Sequence, residues 1–240
     1  MLSAVLRYLF LVGTKILGRA LFSAQARWVG PRPPDAFHDV RLLVILNHTS
    51  LYELLMTSVT PSTALWALAS RGVYPGAAGT LERPLVGLIY RLISPRAVPI
   101  SRSRDESWQV FLDSIKPTSF VMILPEGRMK RPGGLDKNGR PMRVRPGVVD
   151  ILQRLGHGKL LLSYSGGLHH VQAPGERLPR LFQPIEWTFE EVEISDYLAG
   201  FGPLDDEALR EAVVADLARR RDTWGGALDL CCPRPSRNPR

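Results

Sequence analysis

Three short runs of this sequence are apolar at nearly every position: VRLLVILN at Val40–Asn47, FVMILP at Phe120–Pro125 and KLLLSYS at Lys159–Ser165. A strand with one wet face alternates apolar and polar residues, whereas a strand that is oily throughout must be covered on both faces. Between and around these runs lie segments with helical spacing, Leu51–Val59, Pro84–Leu92, Glu106–Ile115 and Gly147–Leu155. Such alternation predicts an α/β fold with a mostly parallel sheet flanked by helices. Ala64–Ser70 reads as a second strand, Ala97–Ser101 as a brief one, and Ile185–Ile194 as a longer one that alternates in its second half. Asp205–Arg221 reads as an amphipathic helix capped by Asp205, with Leu204, Leu209, Val213 and Leu217 as its apolar stripe. The 240 residues suffice for one such domain, placed at 31–230, and no internal repeat is evident.

Residues 1–30 differ from the rest. They carry Arg7, Lys15, Arg19 and Arg27, and no acid precedes Asp35. Charges spread through the segment argue against a cleaved signal, and they interrupt it too often for a spanning helix of about 20 apolar residues. Leu2, Val5, Leu6, Leu9, Phe10, Ile16 and Leu17 recur at helical spacing, with Arg7, Thr14 and Lys15 on the opposite side. This predicts an amphipathic helix lying in a membrane surface, apolar face down and cations toward lipid phosphates. The plainer alternative is a first helix packed on the protein's own core. The net charge of +8 calls for an anionic partner: lipid head groups, phosphorylated substrates or nucleic acid. Nucleic acid fits least, because the interleaved aromatics and known modules of such proteins are missing. Cys231 and Cys232 read as reduced thiols in a basic, proline-rich tail, residues 231–240.

In a sheet of this class, ligands sit beyond the C-terminal ends of the strands. Asn47 and His48 follow the first apolar run, Arg102 follows the brief strand, and Glu126 and Gly127 follow FVMIL. In NHTSLYE, Ser50 and Glu53 fit a capping box, which by itself explains the glutamate. The same box has a second consequence. It places Glu53 in the first helical turn, able to reach back to His48 in the loop. A carboxylate on one imidazole nitrogen fixes the tautomer and stabilises the imidazolium, leaving the other nitrogen to take a proton from a hydroxyl. No serine or cysteine nucleophile is evident, so the hydroxyl would belong to a substrate. His169 and His170 lack a carboxylate or cysteine at ligand spacing, so they read as a loop pair and no metal site is expected.

Five blocks in order, NHTSLYE, RAVPISR (Arg96–Arg102), ILPEGRMKR (Ile123–Arg131), RVRPGVVDIL (Arg143–Leu152) and LLLSYSGG (Leu160–Gly167), resemble the glycerolipid acyltransferases, the family of 1-acylglycerol-3-phosphate acyltransferase. The first and third blocks are the specific ones. The resemblance implies a fatty acyl transfer from acyl-CoA or acyl carrier protein to a lysophospholipid or related lipid hydroxyl, with no metal or organic cofactor. His48 would be the general base and Glu53 its partner. Arg102, Glu126, Gly127, Arg128, Lys130 and Arg131 would bind the acceptor, Arg102 being well suited to a phosphate. The location implied is peripheral or monotopic, on the cytoplasmic face of a membrane with anionic lipid. The chain departs from the family pattern in having Glu53 for aspartate, Arg96 for the leading glycine of the second block, and Arg128 and Met129 for Thr-Arg in the third. These changes bear on the acceptor more than on the reaction. A non-glycerol lipid acceptor is one alternative, and a non-catalytic membrane-binding protein that keeps the fold is another.

Overall fold

A computed structural model describes residues 3–101, 105–136, 138–173, 176 and 178–225 of the chain. The strands are β1 (Ser23–Trp28), β2 (Val40–Leu46), β3 (Gly72–Ala77), β4 (Arg96–Ile100), β5 (Phe120–Ile123), β6 (Lys159–Ser165) and β7 (Pro184–Glu193). The helices are α1 (Ala4–Leu21), α2 (Ser62–Arg71), α3 (Ala78–Leu81), α4 (Pro84–Ile93), α5 (Glu106–Asp113), α6 (Gly147–Leu155), α7 (Ile194–Ala199) and α8 (Asp206–Trp224), with a 3-10 helix at Leu51–Ser58. The strands form one sheet in the order β1-β7-β6-β2-β5-β3-β4. From β6 to β4 all neighbours are parallel; β7 runs antiparallel to β6, and β1 parallel to β7.

Strand β2 shows why its sequence is oily throughout. Leu42, Val44 and Leu46 pack into a core with Phe111 of α5, Val148 and Ile151 of α6 and Val213 of α8. Leu43 and Ile45 point the other way, into a second core with Leu11 of α1, Leu55 of the 3-10 helix and Leu65 and Leu68 of α2. After β2 the chain builds β3 and β4 on one side, returns to fill the slot with β5, then crosses to place β6 on the other flank. β2 is thus where the connections change direction, the position at which α/β sheets open a crevice.

Two segments differ from the sequence expectation. Ala64–Ser70 lies in helix α2 and not in a strand. Its buried residues, Ala64, Leu65, Leu68 and Ala69, recur at helical spacing, and alanine and leucine are strong helix formers. The strand in that part of the chain is β3, GVYPGA, which reads poorly as one because of Pro75. Proline is tolerated there because pairing to β5 involves only Gly72 and Val73. The N-terminal helix also ends at Leu21, and residues 23–28 form the edge strand β1.

Helix α1 corrects the expected orientation of its cations. Arg7 is buried, and its Nε donates to the carbonyl of Arg91 at 3.1 Å. Lys15 Nζ donates to the carbonyl of Thr60 at 2.7 Å, and Arg19 Nε to that of Ser58 at 2.8 Å. The cations therefore reach carbonyls at the end of α4 and at or just beyond the end of the 3-10 helix, with Arg7 buried, Lys15 half-buried and Arg19 exposed, a favourable match to the negative ends of helices. Gly18 permits this close seat, since a Cβ there would lie 2.1 Å from Ser58 Oγ. The outward face of α1 is apolar: Val5, Leu6, Leu9, Ile16 and Leu17 are 45–64% exposed. Leu85, Leu88 and Ile89 of the neighbouring α4 are exposed as well. Among the described residues, no helix is long and apolar enough to cross a membrane.

The doubly covered sheet predicts a sharp contrast in core sensitivity. Leu162→Ala, at a fully buried position of β6, is expected to cost about 2–5 kcal/mol in urea unfolding. Leu9→Ala on the outer face of α1 is expected to cost less than about 0.5 kcal/mol.

Candidate active site

Strand β2 ends in Asn47, whose φ of +62° puts it in the left-handed region and turns the chain sharply. Asparagine is one of the few side chains that tolerate this conformation. Residues 47–50 then run without regular partners, and two carboxylates take their four consecutive backbone N–H groups. Glu126 Oε1 accepts from Asn47 N at 3.3 Å, and its Oε2 from His48 N at 2.9 Å. Glu53 Oε1 accepts from Thr49 N at 2.8 Å and from Ser50 N at 3.0 Å. Ser50 and Glu53 form the capping box that starts the 3-10 helix. The expected box is present, and Glu53 also reaches back to the loop: Oε2 lies 3.1 Å from His48 Nδ1. The contact is at ion-pair distance, although the ring N–H is poorly aligned for a hydrogen bond.

The electrostatics of the pair are set by opposing effects. Burial alone would lower the His48 pKa, but the charge and close contact of Glu53, with the charge of Glu126 added, leave it raised above 6.5. Because the folded-state pKa is raised, the pair stabilises the fold fully below pH 6.5, and this contribution fades as pH climbs through the raised value.

His48 stands between two spaces of contrasting character. On one side is an apolar cavity of about 130 Å³, lined by Leu43 and Ile45 of β2, Phe120 and Met122 of β5, Leu161 of β6 and residues of α2, α4 and the 3-10 helix. On the other is an open cleft of about 500 Å³, lined by Tyr74, Arg83, Trp108, Gly127, Arg128, Arg145 and Gly147 among others. His48, Val86, Tyr90 and Leu124 border both. Helix α6 begins at this cleft with Pro146 as N-cap and no side-chain cap, so its first-turn N–H groups add positive potential there. Tyr90 stacks on Tyr74 with ring centroids 4.8 Å apart, and burial raises the pKa of both phenols, so both stay protonated.

The six residues expected to bind an acceptor occupy different places. Arg102 lies outside the described residues. The Glu126 side chain is fully buried and faces the chain's own donors, including Arg221 Nη1 at 3.1 Å. Gly127, with φ +64°, forms part of the cleft wall. Arg128 borders the cleft while its guanidinium pairs with Asp136. The backbone N–H groups of Arg140 and Asn138, with Arg128, hold the Asp136 carboxyl at about 2 against the opposing effect of burial. Lys130 Nζ donates to Asn47 Oδ1 at 3.2 Å, and its backbone N to the carbonyl of His48 at 2.7 Å. Arg131 is exposed, in a loop closed by its N–H on the carbonyl of Leu135. His169, expected as a loop residue, places Nε2 2.8 Å from the carbonyl of Lys130.

Sequence reasoning did not single out Tyr90, Arg83 or Arg221; Tyr90 sits in an expected helix, but nothing in its spacing pointed to a site. Cys231, Cys232 and the basic tail lie outside the described residues.

Among solved structures, the fold is similar to that of the 1-acyl-sn-glycerophosphate (LPA) acyltransferase PlsC from Thermotoga maritima, with a TM-score of 0.55 and 15% sequence identity over 96% of this chain and 83% of that one. At that identity the likeness is one of fold. No protein-family profile matches the sequence, and no curated protein matches it either.

The pair is testable without a substrate. The ring of His48, followed by NMR, is expected to titrate above pH 6.5 in the wild type. Glu53→Gln keeps an acceptor for the capping N–H groups but removes the charge, and is expected to lower that midpoint. An unchanged midpoint would show that Glu53 does not act on the ring.

Proposed function

We propose that this chain is a membrane-surface lipid acyltransferase, moving a fatty acyl group from acyl-CoA or acyl carrier protein to the hydroxyl of a lysophospholipid, with a 1-acylglycerol-3-phosphate-like acceptor. The observation that carries this reading is the place of His48: its Nδ1 side on a buried carboxylate, its ring at the boundary of an apolar cavity and a cation-lined cleft. The cavity runs beside Leu43 and Ile45 of β2 and is bordered by His48, and its apolar walls suit the chain of a fatty acyl group. The cleft offers Arg83, Arg128, Arg145 and the N-terminus of α6 to a phosphate. The fold likeness to an enzyme named for that acceptor points the same way.

In this reading Nε2 takes the proton from the acceptor hydroxyl as its oxygen attacks the thioester carbon. Glu53 stabilises the imidazolium. The C–S bond then breaks, and the departing thiolate takes the proton back from the ring, leaving an ester, a thiol and neutral His48. The thioester is already reactive, so holding both reactants in line at the junction supplies much of the rate, and no metal or organic cofactor is required. The inside-out α1, cations inward and leucines outward, gives the enzyme a face to lay on a bilayer. We place it peripherally on the cytoplasmic face, where its lipid acceptor meets a thioester donor. Of the other residues forecast for the acceptor, Lys130 stands beside the His48 turn, with its Nζ on Asn47 Oδ1.

The test is to compare lipids extracted from a host expressing wild type or His48→Ala, with transfer from labelled acyl-CoA measured alongside. One lipid class should rise with the wild type only, and transfer should fall about 10²–10⁴-fold in the variant. Wild-type transfer by His48→Ala would sink the reading. Separately, Leu9→Ser with Ile16→Ser is expected to abolish co-sedimentation with anionic vesicles while changing unfolding stability by less than about 0.5 kcal/mol per site.

A further inference from the structure

Helix α8 lies outside the sequence blocks that suggested a reaction, yet its last turn reaches the loop that carries His48. Arg221 Nη1 donates to Glu126 Oε1 at 3.1 Å and to the carbonyl of Met142 at 3.2 Å. The Arg221 side chain is 12% exposed and that of Glu126 0%. Asp222 holds the far edge of the guanidinium, accepting from Nε at 2.8 Å. Just beyond α8, the carbonyl of Gly225 accepts from Asn47 Nδ2, and the Gly225 N–H is tied back to the carbonyl of Arg221 at 2.7 Å. The end of α8 therefore grips the Asn47–His48 turn twice: through the carboxylate that holds both its N–H groups, and through the side chain of Asn47 itself.

Resting on the acyl-transfer reading, we propose that Arg221 is a positioning residue of this site, holding Glu126 so that its two oxygens keep the Asn47 and His48 N–H groups and thereby set the direction of the His48 ring. With Nη1 on Oε1, Arg221 fixes one oxygen of the carboxylate and leaves Oε2 on the His48 N–H. Other charged groups face Glu126 from each side. His48 belongs to the turn, Lys130 is one hydrogen bond away through Asn47, and Arg128, Asp136, Arg140, Arg143 and Arg145 line a cleft with Glu126. Arg221 is the cation placed in contact with the carboxylate by the C-terminal helix.

The experiment compares Arg221→Ala and Arg221→Lys with Arg210→Ala in the full chain. Arg210 pairs with Asp150 and anchors α8 without touching the turn. Arg221→Ala is expected to cut kcat about 10–10²-fold, the scale of a small misplacement of a catalytic group, with little change in acceptor KM. Arg221→Lys should restore most of the lost kcat. Arg210→Ala should lower Tm with kcat unchanged. A wild-type kcat in Arg221→Ala, or the same loss in Arg210→Ala, would overturn the proposal. If Arg221→Ala does not fold, the neutral Arg221→Gln carries the same expectation. Hydrogen exchange at the His48 amide needs no substrate: it should quicken in Arg221→Ala and not in Arg210→Ala. If the wild type transfers no acyl group but this exchange contrast holds, the reaction reading fails and the clamp stands; no contrast means the clamp fails whatever the reaction.

Discussion

A carboxylate buried at the end of a sheet is costly unless every lone pair finds a donor. Glu126 answers that cost with three donors from two distant parts of the chain: the N–H groups of Asn47 and His48 after β2, and the guanidinium of Arg221 on α8. The glutamate itself follows β5, the parallel neighbour of β2. One buried charge thus locks two strand ends and the C-terminal helix into a single arrangement, and the strained turn at Asn47 persists because so many contacts determine it. Glu53 repeats the device on the next two N–H groups, and its second oxygen then meets His48. The imidazole is aimed by backbone hydrogen bonding on both sides, a more rigid mount than side-chain packing alone.

That mount stands at a boundary between two kinds of solvent. The cavity on the α1 side is walled by leucine, isoleucine, methionine and phenylalanine and belongs to one of the two cores of the sheet. The cleft beyond carries arginines and an uncapped helix start. In the proposed reading, a lipid divided in the same way, apolar chain and charged head, would bring the bonds that join those halves beside His48. On the surface, α1 places its cations on the protein's own carbonyls and leaves apolar side chains exposed.

Much of this was legible early because it depends on local physics. The oily runs at Val40, Phe120 and Lys159 became β2, β5 and β6, paired in parallel as their composition demanded. The capping box was visible in Ser50 and Glu53, and the reach of Glu53 back to His48 followed from it. Ala64–Ser70 misled because a seven-residue apolar run suits either a strand or a buried helix, and β3 was hidden by its proline. The cations of α1 were placed on the correct side of the helix but given the wrong neighbour, since periodicity defines two faces without saying which one meets the protein.

The sequence by itself therefore determined the class of fold, the strand ends where chemistry would gather, and the pairing of an imidazole with a nearby carboxylate, all of which follow from spacing within a few residues. Only the tertiary structure decided that Glu126 faces inward onto the turn, that Lys130 leans on Asn47, that Tyr90 borders both spaces and that Arg221 closes the arrangement from 95 residues away. Those contacts join residues far apart along the chain, and a side chain's partner at that distance is set by how the sheet and helices pack, which no local pattern encodes.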